Sequence, residues 1–251
     1  MVAAAVVVLA ACTLVGLRWF LWKVWFYRDP VRHPPAGPGL ILSPADGTVV
    51  YIKRFKDGRV ISEKRGEQIL VSEIGKGAGD YGGSGWMAGI YMSPLDVHWN
   101  YAPISGLVTA VIATPASVNL PMLDLWEYVR MTLVRKAVDL FAHRYRLVNE
   151  RNTVFFEPVS PDCPRVVVVE IADKFVNKIR CIVKPGDKVT AGDKVSFIER
   201  GSQVDLLIYD EEVEFRVKPG DHVTGAVTVV AAYRPGRRDP SSVTSSTSSS
   251  H

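Results

Sequence analysis

The sequence predicts a mainly β fold: a small, internally repeated β-sandwich or barrel with one inserted helix, preceded by an N-terminal transmembrane helix. Three observations predict it. Short β-branched runs such as Thr48-Val49-Val50-Tyr51-Ile52, Leu107-Val108-Thr109-Ala110-Val111-Ile112 and Val166-Val167-Val168-Val169 recur between Pro, Gly, Asp and Asn. The segment Val183-Lys184-Pro185-Gly186-Asp187-Lys188-Val189 returns almost unchanged as Val217-Lys218-Pro219-Gly220-Asp221-His222-Val223. Residues 2–17 carry no charge.

The apolar N-terminal run comes first. At 1.5 Å per residue it falls slightly short of a ~30 Å hydrocarbon core. Snorkelling by Arg18 and Lys23 extends it, and Trp19, Trp22, Trp25 and Tyr27 form an interfacial belt. A cleaved signal peptide fits poorly, because the cations follow the apolar run. Arg18, Lys23, Arg28 and Arg32 all lie on its C-terminal side, which predicts a cell-membrane protein with its body in the cytoplasm. They would also favour anionic head groups. Residues 1–27 are thus expected to be the anchor, 28–235 the functional domain and the Ser-rich residues 236–251 a disordered tail. The Pro-rich stretch that follows the anchor, Pro30 to Pro38, reads as a stiff connector.

The strands are punctuated by paired turns. In each Lys-Pro-Gly-Asp, Pro fixes φ and Gly supplies φ > 0. Ser43-Pro44-Ala45-Asp46-Gly47-Thr48-Val49 is echoed by Ala102-Pro103-Ile104-Ser105-Gly106-Leu107-Val108. These turns resemble those of biotinyl/lipoyl-type folds, which implies a barrel-sandwich-like β domain. The inserted helix is expected over 122–144, with Met122, Trp126, Val129, Leu133, Ala137, Leu140 and Phe141 on one face. It reads either as a helix packed on the sheet or as a basic amphipathic helix leaning on a bilayer. The Gly-rich residues 75–85 lack a phosphate-binding pattern and read as a mobile loop.

Composition narrows the function. A net charge of +4 over 251 residues gives no basis for nucleic-acid binding. The three Cys are widely spaced and the His include no HxxxH pair, so neither a disulfide framework nor a metal site is expected. Arg200-Gly201-Ser202 carries more chemistry. A Ser hydroxyl after Gly can attack the preceding carbonyl, since Gly leaves the approach open. The amide becomes an ester, and elimination releases Gly201 and leaves residue 202 as an N-terminal pyruvoyl group. Its ketone can form a Schiff base with an amine and act as an electron sink. The dipeptide alone reads more readily as an ordinary hairpin turn.

The chain resembles short, membrane-anchored phosphatidylserine decarboxylases. The resemblance rests on Phe26-Tyr27-Arg28-Asp29-Pro30, Ser43-Pro44-Ala45-Asp46-Gly47, the segment Met92 to Pro103, Asn149-Glu150-Arg151-Asn152-Thr153, the Lys-Pro-Gly-Asp turn at 184–187, and Arg200-Gly201-Ser202 followed by Val204-Asp205. Their order and spacing are jointly specific.

It implies self-cleavage between Gly201 and Ser202, a covalent pyruvoyl cofactor derived from Ser202, and decarboxylation of phosphatidylserine, or an archaeal-type serine phospholipid, to the ethanolamine lipid and CO2. The implied partners are that lipid, the membrane and the two chains 1–201 and 202–251; exposed strand edges leave a homo-oligomer possible. By the same resemblance, His98 is the expected base that activates Ser202, and Asp46 the group that orients the His98 ring, following Ser-His-Asp logic. Longer bacterial members carry a second His three residues on, where this chain has Tyr101. His98 then serves both steps, or a different base handles processing. The competing reading is a non-enzymatic, membrane-anchored barrel-sandwich adaptor or carrier. A carrier needs a modifiable Lys in a Met-Lys-Met or Asp-Lys-Ala context, and the sequence has neither.

Overall fold

The computed structural model describes residues 2–61, 68–78, 83–116, 119–122, 140, 145–173, 179–199 and 202–235. Helix α1, Val2–Phe20, continues into a wider π-helical turn, Leu21–Trp25. Its residues are not buried against the body, and the 24-residue helix Val2–Trp25 is long and apolar enough to cross a membrane. The expected helix at 122–144 lies outside the described residues apart from Met122 and Leu140, both buried. The tail 236–251 lies outside them too.

The body is mainly β, built around one curled sheet. Its strands are β2 (Gly47–Lys56), β3 (Arg59–Ile61), β4 (Gln68–Leu70), β5 (Gly85–Met92), β7 (Gly106–Thr114), β8 (Arg151–Pro158), β9 (Val166–Ala172), β11 (Lys188–Val189) and β13 (Ser202–Ile208). They run in the order β11-β7-β8-β9-β13-β5-β2-β3-β4, and β15 (His222–Val223) pairs with β2. Two smaller sheets flank it. One joins β1 (Leu40–Leu42), β16 (Val229–Ala232) and β14 (Glu214–Phe215). The other joins β10 (Ile179–Cys181), β12 (Lys194–Ile198) and β6 (Trp99–Tyr101). Short helices α2 (Val71–Ile74) and α3 (Tyr145–Val148) lie between strands.

The central strands are covered on both faces. On β9, Val166, Val168 and Ala172 face one apolar cluster, and Val167, Val169 and Ile171 face the other. On β13, Val204, Leu206 and Ile208 share the first face, and Leu207 packs in the second. This period of two fixes which β13 side chains look the same way. Ser202 therefore shares the face of Val204, while Gln203 and Asp205 point to the other. There the Gln203 amide donates to the Tyr51 hydroxyl at 2.8 Å and to Asp205 Oδ1 at 2.6 Å, and Tyr51 also donates to Asp205. This buried triad pins the strand that starts at Ser202.

The sequence repeat is a structural repeat. The first Lys-Pro-Gly-Asp turn docks on β7 through Gly186 N–H to Val108 O and Val108 N–H to Asp187 O, at 2.8 and 2.9 Å. The second docks on β2 through Gly220 N–H to Val49 O and Val49 N–H to Asp221 O, at the same distances. In both, the Asp carboxylate accepts the Lys backbone N–H, and the Gly has positive φ. Both receiving strands bulge just past the docking Val.

Candidate active site

Ser202 opens β13 opposite Met92 of β5 and Ala172 of β9. It is fully buried, and its Oγ lies 3.2 Å from the Met92 sulfur, a weak acceptor. Arg200 and Gly201, the rest of the expected cleavage motif, lie outside the described residues.

His98 lies on the connection that follows Met92, the β5 partner of Ser202. Residues 93–98 lead from Met92 to β6, and residues 199–201 lead from β12 to Ser202. The two connections leave from paired neighbours: Ser202 with Met92, and Ile198 N–H with His98 O at 3.1 Å. His98 is fully buried. Its Nδ1 lies 2.9 Å from the Asp96 carbonyl oxygen. A carbonyl only accepts, so Nδ1 carries the proton and Nε2 presents a bare lone pair. Among the described residues, Nε2 has no hydrogen-bond partner. Burial pushes the imidazole down to about 4, aided by the Arg28 cation and only partly offset by Asp96.

The loop that carries His98 is itself braced. Asp96 Oδ2 accepts Ser93 N–H at 2.8 Å and the Ser93 hydroxyl at 2.7 Å. Its Oδ1 lies 3.0 Å from His222 Nε2. Burial disfavours the Asp96 carboxylate, but these bonds outweigh it and hold its pKa below the ordinary value. His222 belongs to the second turn repeat, so that repeat supports the loop that carries His98.

Asp46 is not on the His98 ring. Its carboxylate takes two bonds from Arg32 Nη2, at 2.9 and 2.8 Å, and the Gly225 N–H at 2.7 Å. The expected imidazole–Asp46 pairing is thus replaced by a carbonyl, and Asp46 acts on the neighbouring turn. The Arg32 guanidinium lies 5.9 Å over the Tyr101 ring. Burial raises the Tyr101 pKa, so its hydroxyl keeps its proton at neutral pH and makes a poor base.

Two further features escaped sequence reasoning. Glu170 on β9 lies opposite Val204 and so shares the face of Ser202. It is fully buried, and its oxygens accept from Asn100 at 3.0 Å, Asn152 at 2.7 Å and Ser196. Burial raises its pKa, against these bonds. A lone carboxylate inside the apolar run Val166–Ala172 was its sequence signal. The second feature is Phe26. It lies inside the expected anchor yet is only 3% exposed, and its ring sits 4.1 Å from that of His98.

Comparisons with known proteins bear on the family of the chain. Residues 19–231 match the family model described as phosphatidylserine decarboxylase. A Methanocaldococcus jannaschii protein, provisionally named an archaetidylserine decarboxylase proenzyme, is 33% identical over 227 residues, 90% of this chain and 94% of its own. The phosphatidylserine decarboxylase proenzyme of Granulibacter bethesdensis is 30% identical over 236 residues, covering 90% of this chain and 81% of that protein. A Methanothermobacter thermautotrophicus protein with the same provisional archaetidylserine name is 34% identical over 85% of this chain and 81% of its own length. The match spans both connections and both turn repeats, and the chain belongs to the phosphatidylserine decarboxylase family.

Proposed function

We propose that the chain is a self-processing, pyruvoyl-dependent decarboxylase that converts a serine phospholipid to its ethanolamine counterpart and CO2, held at the membrane by α1. One observation carries the reading. A buried Ser at the start of a strand is paired with Met92, and Met92 leads into the connection that bears a neutral His with an unpartnered acceptor nitrogen. Relatives named for both phosphatidylserine and archaetidylserine share the serine head group, and we assign that head group as what is recognised.

Processing follows from this chain's own atoms. His98 Nε2 takes the proton of the Ser202 hydroxyl, and Oγ attacks the Gly201 carbonyl carbon. The C–N bond breaks, giving an ester and a free amine at residue 202. Loss of the α-proton expels Gly201 as a carboxylate. Water then replaces the nitrogen, which leaves as ammonia, and residue 202 is left with a ketone. The site fits that group: residue 202 is fully buried and fixed by two strand partners, Met92 and Ala172. Once formed, the ketone supplies an electron sink for decarboxylation. His98 then has a second use as the group that holds or moves a proton at Nε2. Asp46, through Arg32 and Gly225, is a positioning residue for the turn behind Tyr101. The mature molecule is the pair 1–201 and 202–251, with the domain limits given above.

Intact mass tests the reading. The wild type should give two chains, the smaller lacking one ammonia relative to a Ser-initiated peptide and gaining mass with hydroxylamine. Ser202→Ala should remain one chain. Fully active, uncleaved wild type would overturn the assignment. Vesicles carrying ester- or ether-linked serine lipids, assayed for CO2, separate the two lipid classes.

A further inference from the structure

We propose that the exit of the anchor, Trp25–Arg28, is one wall of the catalytic chamber, with Phe26 as the positioning residue for His98. This deepens the function proposed above and rests on His98 as the base.

The exit segment is built into the site residue by residue. The Trp25 indole N–H donates to Leu95 O at 3.2 Å, and Arg28 Nη2 donates to the same oxygen at 2.6 Å. Arg28 also stacks on Trp25, 4.3 Å from the ring centroid. Leu95 sits on the connection that carries His98. Phe26 packs on the His98 ring at 4.1 Å and meets Phe197 edge-on at 5.9 Å. Tyr27 stacks on Phe197 at 5.6 Å. Asp29 pairs with Lys194, whose ammonium lies 4.8 Å from the Trp99 centroid. A mere tether needs none of these contacts.

The physical consequence concerns His98. Its Nδ1 is fixed by the Asp96 carbonyl, but one hydrogen bond leaves the ring free to tilt. The Phe26 face removes that freedom and keeps water from Nε2. The charged groups that face the imidazole are Asp96 on its own connection and Arg28 on the exit segment. From β12, Phe197 packs edge-on against Phe26, the ring that lies on the imidazole. Removing the Phe26 ring should let water in and let the imidazole return toward its ordinary basicity.

Geometry also places the chamber at the foot of the helix. Residue 25 ends the apolar helix and residue 26 touches the base. A serine head group at the membrane surface would then meet the site while its chains stay in the bilayer.

The test measures self-cleavage of the full chain in vesicles from pH 4 to 8, by gel, for wild type, Phe26→Ala, Phe26→Leu and His98→Ala. Phe26→Ala should slow cleavage on the order of tenfold and move the acid limb of the profile from near pH 4 toward 6.5. Phe26→Leu keeps apolar cover without the flat ring, and should fall between the two in rate and in pH midpoint. Wild-type rate and profile in Phe26→Ala, with His98→Ala inactive, would overturn this proposal alone. Normal cleavage in His98→Ala would overturn the base assignment beneath it. If Phe26→Ala does not fold, Phe26→Leu decides, and a profile identical to wild type reduces Phe26 to filler.

Discussion

The Nδ1 of His98 lies 2.9 Å from the backbone carbonyl of Asp96, so the ring is oriented by main chain and not by a carboxylate. A carbonyl fixes the tautomer without adding a full negative charge. The imidazole therefore stays neutral, with burial pushing it down to about 4.

The pH dependence follows. Unfolded His98 titrates near 6.5, and the folded ring near 4. Between these values the unfolded chain binds more protons, so stability rises with pH across that window. The contribution is fully present above pH 6.5 and lost as pH falls toward 4, and amounts to about 3 kcal/mol. Urea unfolding from pH 4 to 8 should show this slope in Ser202→Ala, and a shallower one in Ser202→Ala with His98→Gln. Equal slopes would mean that His98 is not buried neutral.

The Asp46–Arg32 pair predicts a different signature. Both side chains are mostly buried, so removing Asp46 strands the guanidinium and frees the Gly225 N–H. Asp46→Ala should destabilise by about 3–5 kcal/mol, and Arg32→Ala should not add its full cost on top. A double-mutant cycle by thermal unfolding measures the coupling. Below its melting range, Asp46→Ala should cleave much faster than His98→Ala. Equal loss of cleavage would return Asp46 to the His98 ring.

Particular residues show what the sequence reveals and what it hides. The paired Lys-Pro-Gly-Asp turns were legible because turn chemistry is local, and their docking on Val49 and Val108 follows the same repeat. Ser202 and His98 stand out in the sequence because their segments are ordered like those of a known family. The Asp46 partner was not. Arg32 and Asp46 are 14 residues apart across a Pro-rich connector, and sequence spacing does not say which of two cations a carboxylate will meet. Phe26 was hidden by composition. An aromatic cluster beside an apolar helix reads as a membrane belt whether its rings face lipid or protein.

Gly47 and Gly106 occupy matching places in the repeat, each followed by a docking Val. A Cβ at Gly47 would lie 2.2 Å from Tyr91 O, and one at Gly106 would lie 2.3 Å from Glu157 O. Both contacts are backbone and cannot move aside. Gly47→Ala and Gly106→Ala should each abolish soluble, folded body. Gly58 has positive φ but open space around it, so Gly58→Ala should cost only about 1–2 kcal/mol. Expression yield and melting temperature compare the three directly.

Glu170 gives the last prediction. Three donors converge on its carboxyl: the amides of Asn100 and Asn152 and the Ser196 hydroxyl. Burial raises its pKa above the ordinary 4.5, so between 4.5 and the folded pKa the folded state binds more protons than the unfolded state. Stability from this group is present below pH 4.5 and falls as pH rises toward the folded pKa. Gln carries no such proton, and its oxygen can still accept while the Asn152 amide turns to receive its N–H. Glu170→Gln should therefore gain in stability relative to wild type between pH 5 and pH 8. Glu170→Ala takes their acceptor from the Asn152 amide and the Ser196 hydroxyl, at about 1–3 kcal/mol each, while Asn100 keeps its bond to Ser196 Oγ at 3.1 Å, and it should be the least stable at every pH. Unfolding curves at pH 5 and 8 test both. No such gain in Glu170→Gln would mean that the carboxylate is charged in the folded protein, and that its three donors, not burial, decide its state.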